Sequence, residues 1–278
     1  MRRGAAIALL ATAPSFAMAE NESPPSEPPR AQALGKDQSG VFVNGSVANS
    51  GASPNFVMRG FPGGLTLFDG AAHGYSSQEV DLSTVDHVEF FKGPSSMLFG
   101  KAPGGYGGAA NYIRKTPTGE TFARGVATLG SFEVFRANAD VNAPLSPQKN
   151  VTMRVIASME SARSFVNFVR SRSFDIAPMI AFDADNGDRL TLRAEHNAAR
   201  LVYRDGVPTA PVFLYVPREF YAGAPANEHE SPHYTDLTLT HRHHFAKDWK
   251  LTTLVDFYLS SPTLTVRGVT GGMLAHGR

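Results

Sequence analysis

The chain has 278 residues, with 26 Lys and Arg against 25 Asp and Glu, so its formal net charge is +1, and that length allows one or two domains. Hydrophobic residues make up 42% and charged residues 18%, which excludes a disordered chain and a nucleic-acid binder driven by net positive charge. With no cysteine, disulfides, thiolate zinc sites and a cysteine nucleophile are excluded. No apolar run reaches the roughly 18 residues a membrane-spanning helix needs, which leaves a membrane β-barrel open because its strands are apolar only at alternate positions.

Arg2 and Arg3 give a positive start, residues 5–13 are a short apolar stretch, and Ala17-Met18-Ala19 is a small-x-small site before Glu20. This is the layout of a bacterial secretory signal peptide over 1–19, so the chain is expected to be exported. Residues 20–39 carry Pro24, Pro25, Pro28 and Pro29 among Ser and Glu and read as an extended linker.

From 40 to 121 the composition shifts to a small glycine-rich domain. Short β-favouring runs, Val41-Phe42-Val43, Phe56-Val57-Met58, Leu65-Thr66-Leu67-Phe68 and residues 85–91, alternate with Gly, Pro, Asn and Asp. Asp69-Gly70 reads as a turn, and residues 83–86 can start a helical turn. Gly93-Pro94-Ser95-Ser96 and Gly100-Lys101-Ala102-Pro103-Gly104-Gly105 lack the Gly-Lys-Ser/Thr of a phosphate loop, and neither Gly74-x-Ser76 nor Gly93-x-Ser95 is followed by the second glycine of a hydrolase elbow. No catalytic residue is assigned, and the chain is not expected to be an enzyme.

Five pieces occur in order: Phe56-Val57-Met58-Arg59-Gly60-Phe61; Asp69-Gly70; Val88-Glu89-Phe90-Phe91-Lys92-Gly93-Pro94-Ser95-Ser96-Met97-Leu98-Phe99-Gly100; Pro103-Gly104-Gly105; and Asn111-Tyr112-Ile113-Arg114-Lys115-Thr116-Pro117. This series resembles the second half of the plug domain of TonB-dependent outer-membrane receptors, in the ferric-siderophore branch. The resemblance implies a plug that closes a barrel of about 22 strands. It implies that Arg59, Glu89, Lys92 and Arg114 pair with the barrel wall, since charges in a sealed interior are costly unless paired. The loop between Leu65 and Tyr75 is expected to form a ligand-facing apex, with Phe68, His73 and Tyr75 as candidates. The implied ligand is a transported ferric siderophore, with no resident cofactor, and the implied site is the outer membrane, in contact with its lipid. Residues 20–38 contain no TonB-contacting segment, so coupling to TonB is not legible.

Residues 122–278 read as the N-terminal part of the barrel. Val151, Met153, Val155, Ala157 and Met159 alternate with Thr152, Arg154, Ile156, Ser158 and Glu160, and similar stripes recur at 189–195, 236–245 and 249–259. About seven strands are expected, at 122–130, 132–143, 150–160, 173–183, 188–197, 233–245 and 249–260. Asn186-Gly187 marks a tight hairpin. Short connections at 144–150, 185–188 and 246–248 alternate with long ones at 161–172 and 198–232, the habit of outer-membrane barrels.

Asp183, Asp185 and Asp188 depart from a calcium-loop pattern and fit a hairpin turn. His241 and His243 share the lipid-side face of one strand with Leu237 and Leu239, which favours an interfacial girdle, so no metal site is assigned. The fold class is therefore all-β with minor α in the plug: a partial plug followed by about seven antiparallel strands of an incomplete 22-stranded barrel. Only 156 residues follow Phe122, whereas 22 strands need at least ~220. The expected function is ferric-siderophore uptake, here as a truncated form. The rival readings are a non-transporting exported remnant or periplasmic interaction fragment, and a secreted β-sandwich binding protein or enzyme.

Overall fold

The structure is a computed structural model that describes residues 41–43, 56–60, 65–72, 80–93, 107–202, 215–221, 229–246, 249–260, 263–270 and 274–275. Six short strands form the N-terminal unit: β1 (Val41–Val43), β2 (Phe56–Met58), β3 (Leu65–Phe68), β4 (Ala71–Ala72), β5 (Val85–Lys92) and β6 (Gly108–Arg114). β1 and β2 pair with each other, and the remaining four form a sheet of order β4-β3-β6-β5. β3 runs parallel to β6, and the other pairings are antiparallel.

Local chemistry explains the turns. Asp69 and Gly70 both have positive φ, 49° and 87°, as the two-residue loop of a hairpin whose twist matches its strands requires. A 3-10 turn at Leu82–Thr84 follows Asp81, whose carboxylate accepts a hydrogen bond from the Ser83 amide at 2.7 Å. This is the cap chemistry expected of a short acidic side chain ahead of unpaired amides. The core of the unit is Met58, Val80, Val85, Ala110 and Tyr112, with Phe68, Leu82, Val88 and Phe90 packed against it.

The second unit is an antiparallel sheet: β7 (Phe122–Gly130), β8 (Val134–Pro144), β9 (Val151–Arg163), β10 (Arg170–Asp183), β11 (Arg189–Val202), β12 (His229–Glu230), β13 (His233–Ala246), β14 (Trp249–Ser260), β15 (Thr263–Thr270) and β16 (Leu274–Ala275). The long strands follow one another in sequence order from β7 to β15, with β12 paired to β11 and β16 paired to β14. Each strand expected from alternation coincides with a long strand here. The Asn186-Gly187 hairpin is present as well, with Gly187 at φ 84° and the Asp188 amide bonded to the Asn186 side chain.

One expectation is corrected and one is extended. β9 and β10 stay paired out to Arg163↔Arg170, so the long connection expected at 161–172 shrinks to residues 164–169. Pairing outlasts the apolar stripe because the ladder is made by backbone groups, which do not require an apolar face. An eighth long strand, β15, lies along β14 from Ser260↔Thr263 to Thr253↔Thr270. Its alternation is too interrupted to read.

The wall sorts its side chains by polarity. On the covered side lie Thr152, Arg154, Asp175, Arg193, Glu195, Asn197, Asp236 and Asp256, all buried. On the opposite side Met159, Phe174, Ile180, Phe182, Leu190, Leu192, Leu237, Leu239, Phe257 and Leu259 are exposed. That is the outward apolar, inward polar pattern of a membrane barrel.

Candidate functional site

The N-terminal unit lies against the polar side of the wall, and Arg114 at the end of β6 joins the two. Its Nε donates to Asp69 Oδ2 at 2.6 Å within the unit. Its Nη1 donates to Asp236 Oδ2 on β13 at 2.6 Å, and its Nη2 donates to Thr238 Oγ1 at 3.0 Å. Glu195 of β11 stands 3.9 Å away, and the Phe68 ring lies 5.9 Å from the guanidinium carbon. Burial alone would favour loss of the proton, but Asp69, Asp236 and Glu195 hold the Arg114 guanidinium above its ordinary value.

The Asp69-Gly70 turn is tied into the same region. The Asp69 carboxylate accepts from the Arg114 amide at 2.9 Å, and the Gly70 amide donates to Asn111 Oδ1 at 2.9 Å. Asn111 in turn donates to Glu89 Oε2 at 2.9 Å. Three separated sequence pieces, Asp69-Gly70, Glu89 and Arg114, therefore meet through β6.

A second junction is built on Asp81. Arg136 of β8 donates to Asp81 Oδ1 at 2.8 Å and to Glu160 of β9 at 3.2 Å. The Ser158 hydroxyl of β9 donates to the other Asp81 oxygen. Asp81 thus caps its own helical turn and accepts from two wall strands.

The segment between the two units, residues 115–121, crosses the wall as a strap. Arg193 donates to the Lys115 carbonyl at 3.2 Å, Arg154 to the Thr116 carbonyl at 2.9 Å, and Arg189 to the Pro117 carbonyl at 2.5 Å. The Asn142 amide donates to the Thr118 carbonyl at 2.9 Å and also to the Glu120 carbonyl. These wall groups are themselves fixed: Arg154 forks onto Asp140 at 2.8 and 2.6 Å, and Arg193 onto Glu195 at 3.1 and 2.7 Å. Both pairs are charge-assisted, and Arg154 is bidentate, gripping both Asp140 oxygens, whereas Arg193 sets two nitrogens on one Glu195 oxygen; such bonds are the stronger and more directional ones.

The other residues singled out in the sequence are distributed differently. Arg59 is exposed in a turn at φ 54°, with its guanidinium beside Gly93. Lys92 is exposed at the end of β5. Phe68 is half-buried, stacks on Tyr112 at 5.4 Å between ring centroids and packs into the core. Phe61, His73, Tyr75, Pro94 and Gly100 lie outside the described residues. Asp183 is occupied by Arg189, which reaches both of its oxygens at 2.8 Å. Asp188 accepts from His243 Nδ1 and stands 3.7 Å from His241 Nε2. Among the described residues no group of three or more His, Asp or Glu side chains is disposed to hold a metal ion.

Sequence reasoning missed Asp81, Arg136, Asn142, Arg154, Arg189, Arg193 and Asp236. For the wall residues the available signal was their place on the polar side of their strands, which makes them inward-facing but does not say what they grip; Asp81 carried only the capping signal of an acidic residue ahead of a helical turn.

Residues 29–106 match the model of the TonB-dependent receptor plug domain. The metal-pseudopaline receptor CntO of Pseudomonas aeruginosa is 30% identical over 206 residues, 68% of this chain and 29% of that protein. The ferripyoverdine receptor of the same species is 30% identical over 149 residues, 51% of this chain and 18% of that protein. Among solved structures, the pyoverdine outer membrane receptor FpvA of Pseudomonas aeruginosa superposes with a TM-score of 0.67 at 24% identity, covering 73% of this chain and 31% of that one. The ferric-catecholate import receptor Fiu of Escherichia coli, in its open form, gives 0.66 at 19% identity, covering 82% and 37%. The chain therefore spans under a third of the length of the curated relatives named here. A plug matched by its family model, seated on a wall that is apolar outside and polar within, places the chain among the TonB-dependent receptors of the outer membrane.

Proposed function

We propose that the receptor carrying this chain takes up a ferric siderophore across the outer membrane. The observation that carries the reading is the Arg114 junction: one buried guanidinium holds a plug strand to two wall residues, the kind of contact a plug needs to stay seated in a lumen. The relatives' names supply the ligand class, since they are receptors for ferripyoverdine, catecholate siderophores and metal-pseudopaline. The TonB-dependent receptors are transporters, and no step here makes or breaks a covalent bond. The protein's part is to recognise the chelate outside, block the lumen, and let the plug leave the wall. Arg59, Glu89 and Lys92 are exposed on the plug, with Glu89 accepting from Asn111, and none of them meets the wall among the described residues. His73 and Tyr75 are the proposed ligand contacts, while Phe68 packs into the plug core.

The test is uptake of radiolabelled iron by cells that lack their own siderophore receptors and express the whole reading frame carrying this chain. The expected result is accumulation from ferripyoverdine or a ferric catecholate that disappears when TonB is deleted. Accumulation no greater than in receptor-free cells with every siderophore class offered would overturn the reading. Accumulation that persists without TonB would separate the ligand assignment from the coupling assignment.

A further inference from the structure

The Asn186-Gly187 turn between β10 and β11 carries a chemistry that neither plug seating nor chelate capture uses. Asparagine followed by glycine cyclises on itself when the chain is free to bend. The Gly187 amide nitrogen, having given its proton to solvent base, attacks the side-chain carbonyl carbon of Asn186. The new N–Cγ bond forms, the Cγ–Nδ2 bond breaks, and Nδ2 takes up a proton and leaves as ammonia. Water then opens the cyclic imide at either carbonyl, leaving aspartate or isoaspartate. Glycine favours the attack because no Cβ crowds its nitrogen. Asn186 and Gly187 are both exposed, and the space around the Gly187 Cβ position is open, so base and water have access.

The folded turn opposes each step. The Gly187 amide donates to the Ala184 carbonyl at 3.1 Å, so the proton that base must remove is already held, and the Ala184 amide donates to the Asp188 carbonyl at 2.8 Å. The Asn186 carboxamide is tied at both ends: Oδ1 accepts from the Asp188 amide at 3.1 Å, and Nδ2 donates to Asp188 Oδ2 at 2.9 Å. Ring closure has to break these bonds. It also passes through an oxyanion on Cγ, which the adjoining Asp188 carboxylate repels. Hydrogen bonds from His243 and Asn186 hold that carboxyl below its ordinary range, so the repelling charge is present at neutral pH.

The clamp reaches into a third strand. Asp188 Oδ1 accepts from His243 Nδ1 of β13, and His241 Nε2 stands 3.7 Å from Asp188 Oδ2. β13 lies on β11 in the register Arg189↔Arg242 and Leu190↔His241. Asp188 is therefore fixed in this way only when β10, β11 and β13 are all in place. We propose that Asn186 is a site of spontaneous deamidation that the assembled wall keeps shut and that converts in chains whose β10, β11 and β13 have not come together. Isoaspartate adds a methylene to the main chain of a turn whose length sets the register of its strands. Conversion is thus a one-way mark on unassembled chains. This goes beyond siderophore uptake and does not depend on which chelate is carried.

The full chain is incubated at mildly alkaline pH, folded in detergent micelles and unfolded in urea, and aspartate and isoaspartate at position 186 are counted by peptide mass spectrometry. Conversion is expected to run at least tenfold faster in urea. There Gly187→Ala should slow it at least tenfold, and Asp188→Ala should leave it unmoved. In micelles Asp188→Ala should convert at least threefold faster than the parent, with His243→Ala between the two. Hydrogen exchange at the Thr191 and Arg193 amides reports whether β11 stays paired in each variant. Where Asp188→Ala opens the ladder, Asp188→Asn, which keeps an acceptor and removes the charge, should still convert faster than the parent. Chains carrying isoaspartate should refold with less than half the parent's yield. Equal conversion in micelles and urea overturns the proposal, as do unchanged rates in the folded Asp188 variants. Refolding of converted chains at the parent's yield overturns the mark.

Discussion

The plug and the wall bury opposite kinds of side chain. The plug hides Met58, Leu67, Ala110 and Tyr112 and leaves Asp86, His87, Glu89 and Lys92 exposed, as a water-soluble globule does. The wall hides Arg154, Asp175, Arg193 and Asp236 and exposes Phe174, Ile180, Leu237 and Leu239. The same transfer free energy drives both arrangements. What differs is the medium on the exposed side: water for the plug, and hydrocarbon for the outside of the wall. Where the two units meet, the wall's polar side is dressed with charges, so plug and wall are joined by directional polar bonds rather than by a shared apolar core.

The strongest way to break this contrast is Arg114→Met. It removes the guanidinium shared by half-buried Asp69 and buried Asp236, and removing one partner of a buried pair costs about 3–5 kcal/mol. Hydrogen exchange at the β6 amides should accelerate markedly. Unchanged protection would mean that the plug's own core holds it in place. Next in size, Leu239→Arg puts a charge on the lipid side of β13 and should cost about 2–4 kcal/mol in bilayers. The urea midpoint of the folded chain in vesicles checks it, and no loss there would remove the membrane assignment of that face.

Gly108→Ala probes the plug's density. At φ 154° an added Cβ would meet the Phe91 carbonyl oxygen and, at 2.5 Å, Met58 Sδ. The expected loss is about 1–3 kcal/mol. Gly187→Ala in the wall has φ 84° but open space around its Cβ position. Only the backbone term applies there, about 1 kcal/mol. If both variants lost the same amount by denaturant titration, packing would not distinguish the two regions.

The smallest effect concerns exposed His87. Its hydrogen bond to Asp86 raises its pKa above the ordinary 6.5, slight burial opposes the rise, and Glu89 adds to it. The sign follows: the stabilisation is fully present below the unfolded value and is lost as pH rises through the folded one. Asp86→Asn should flatten that slope in a pH series of plug stability.

Legibility in the sequence followed the same divide. The wall strands were readable because one-sided burial imprints a period of two. Asn186-Gly187 was readable because a tight hairpin demands positive φ. The extension of β9 and β10 was hidden because Ser161, Arg163, Arg170 and Arg172 break the apolar stripe while their backbones remain paired. β15 was hidden in an interrupted run. Motif residues located the plug, and Arg114, Asp69 and Gly70 lie together in the structure. Phe68 was harder to place, since Asp69-Gly70 reverses the chain and turns its ring onto Tyr112. The partners of Arg114 and Asp81 lie 124 and 77 residues away at the furthest, and no local pattern encodes such a meeting.

The strap at residues 115–121 has a consequence for how the chain tolerates change. Wall side chains grip its carbonyl oxygens, and carbonyls are common to every amino acid. The identities of Thr116, Gly119 and Glu120 therefore carry little of the recognition, and the open space at Gly119 admits a side chain. A saturation library should show these positions permissive and Arg154, Arg193 and Asn142 restrictive. Within the strap, side-chain identity matters mainly at Lys115, which pairs with Asp140, at Thr118, whose hydroxyl accepts from Asn142, and at buried Pro117; the rest of its seating is written in the partner surface.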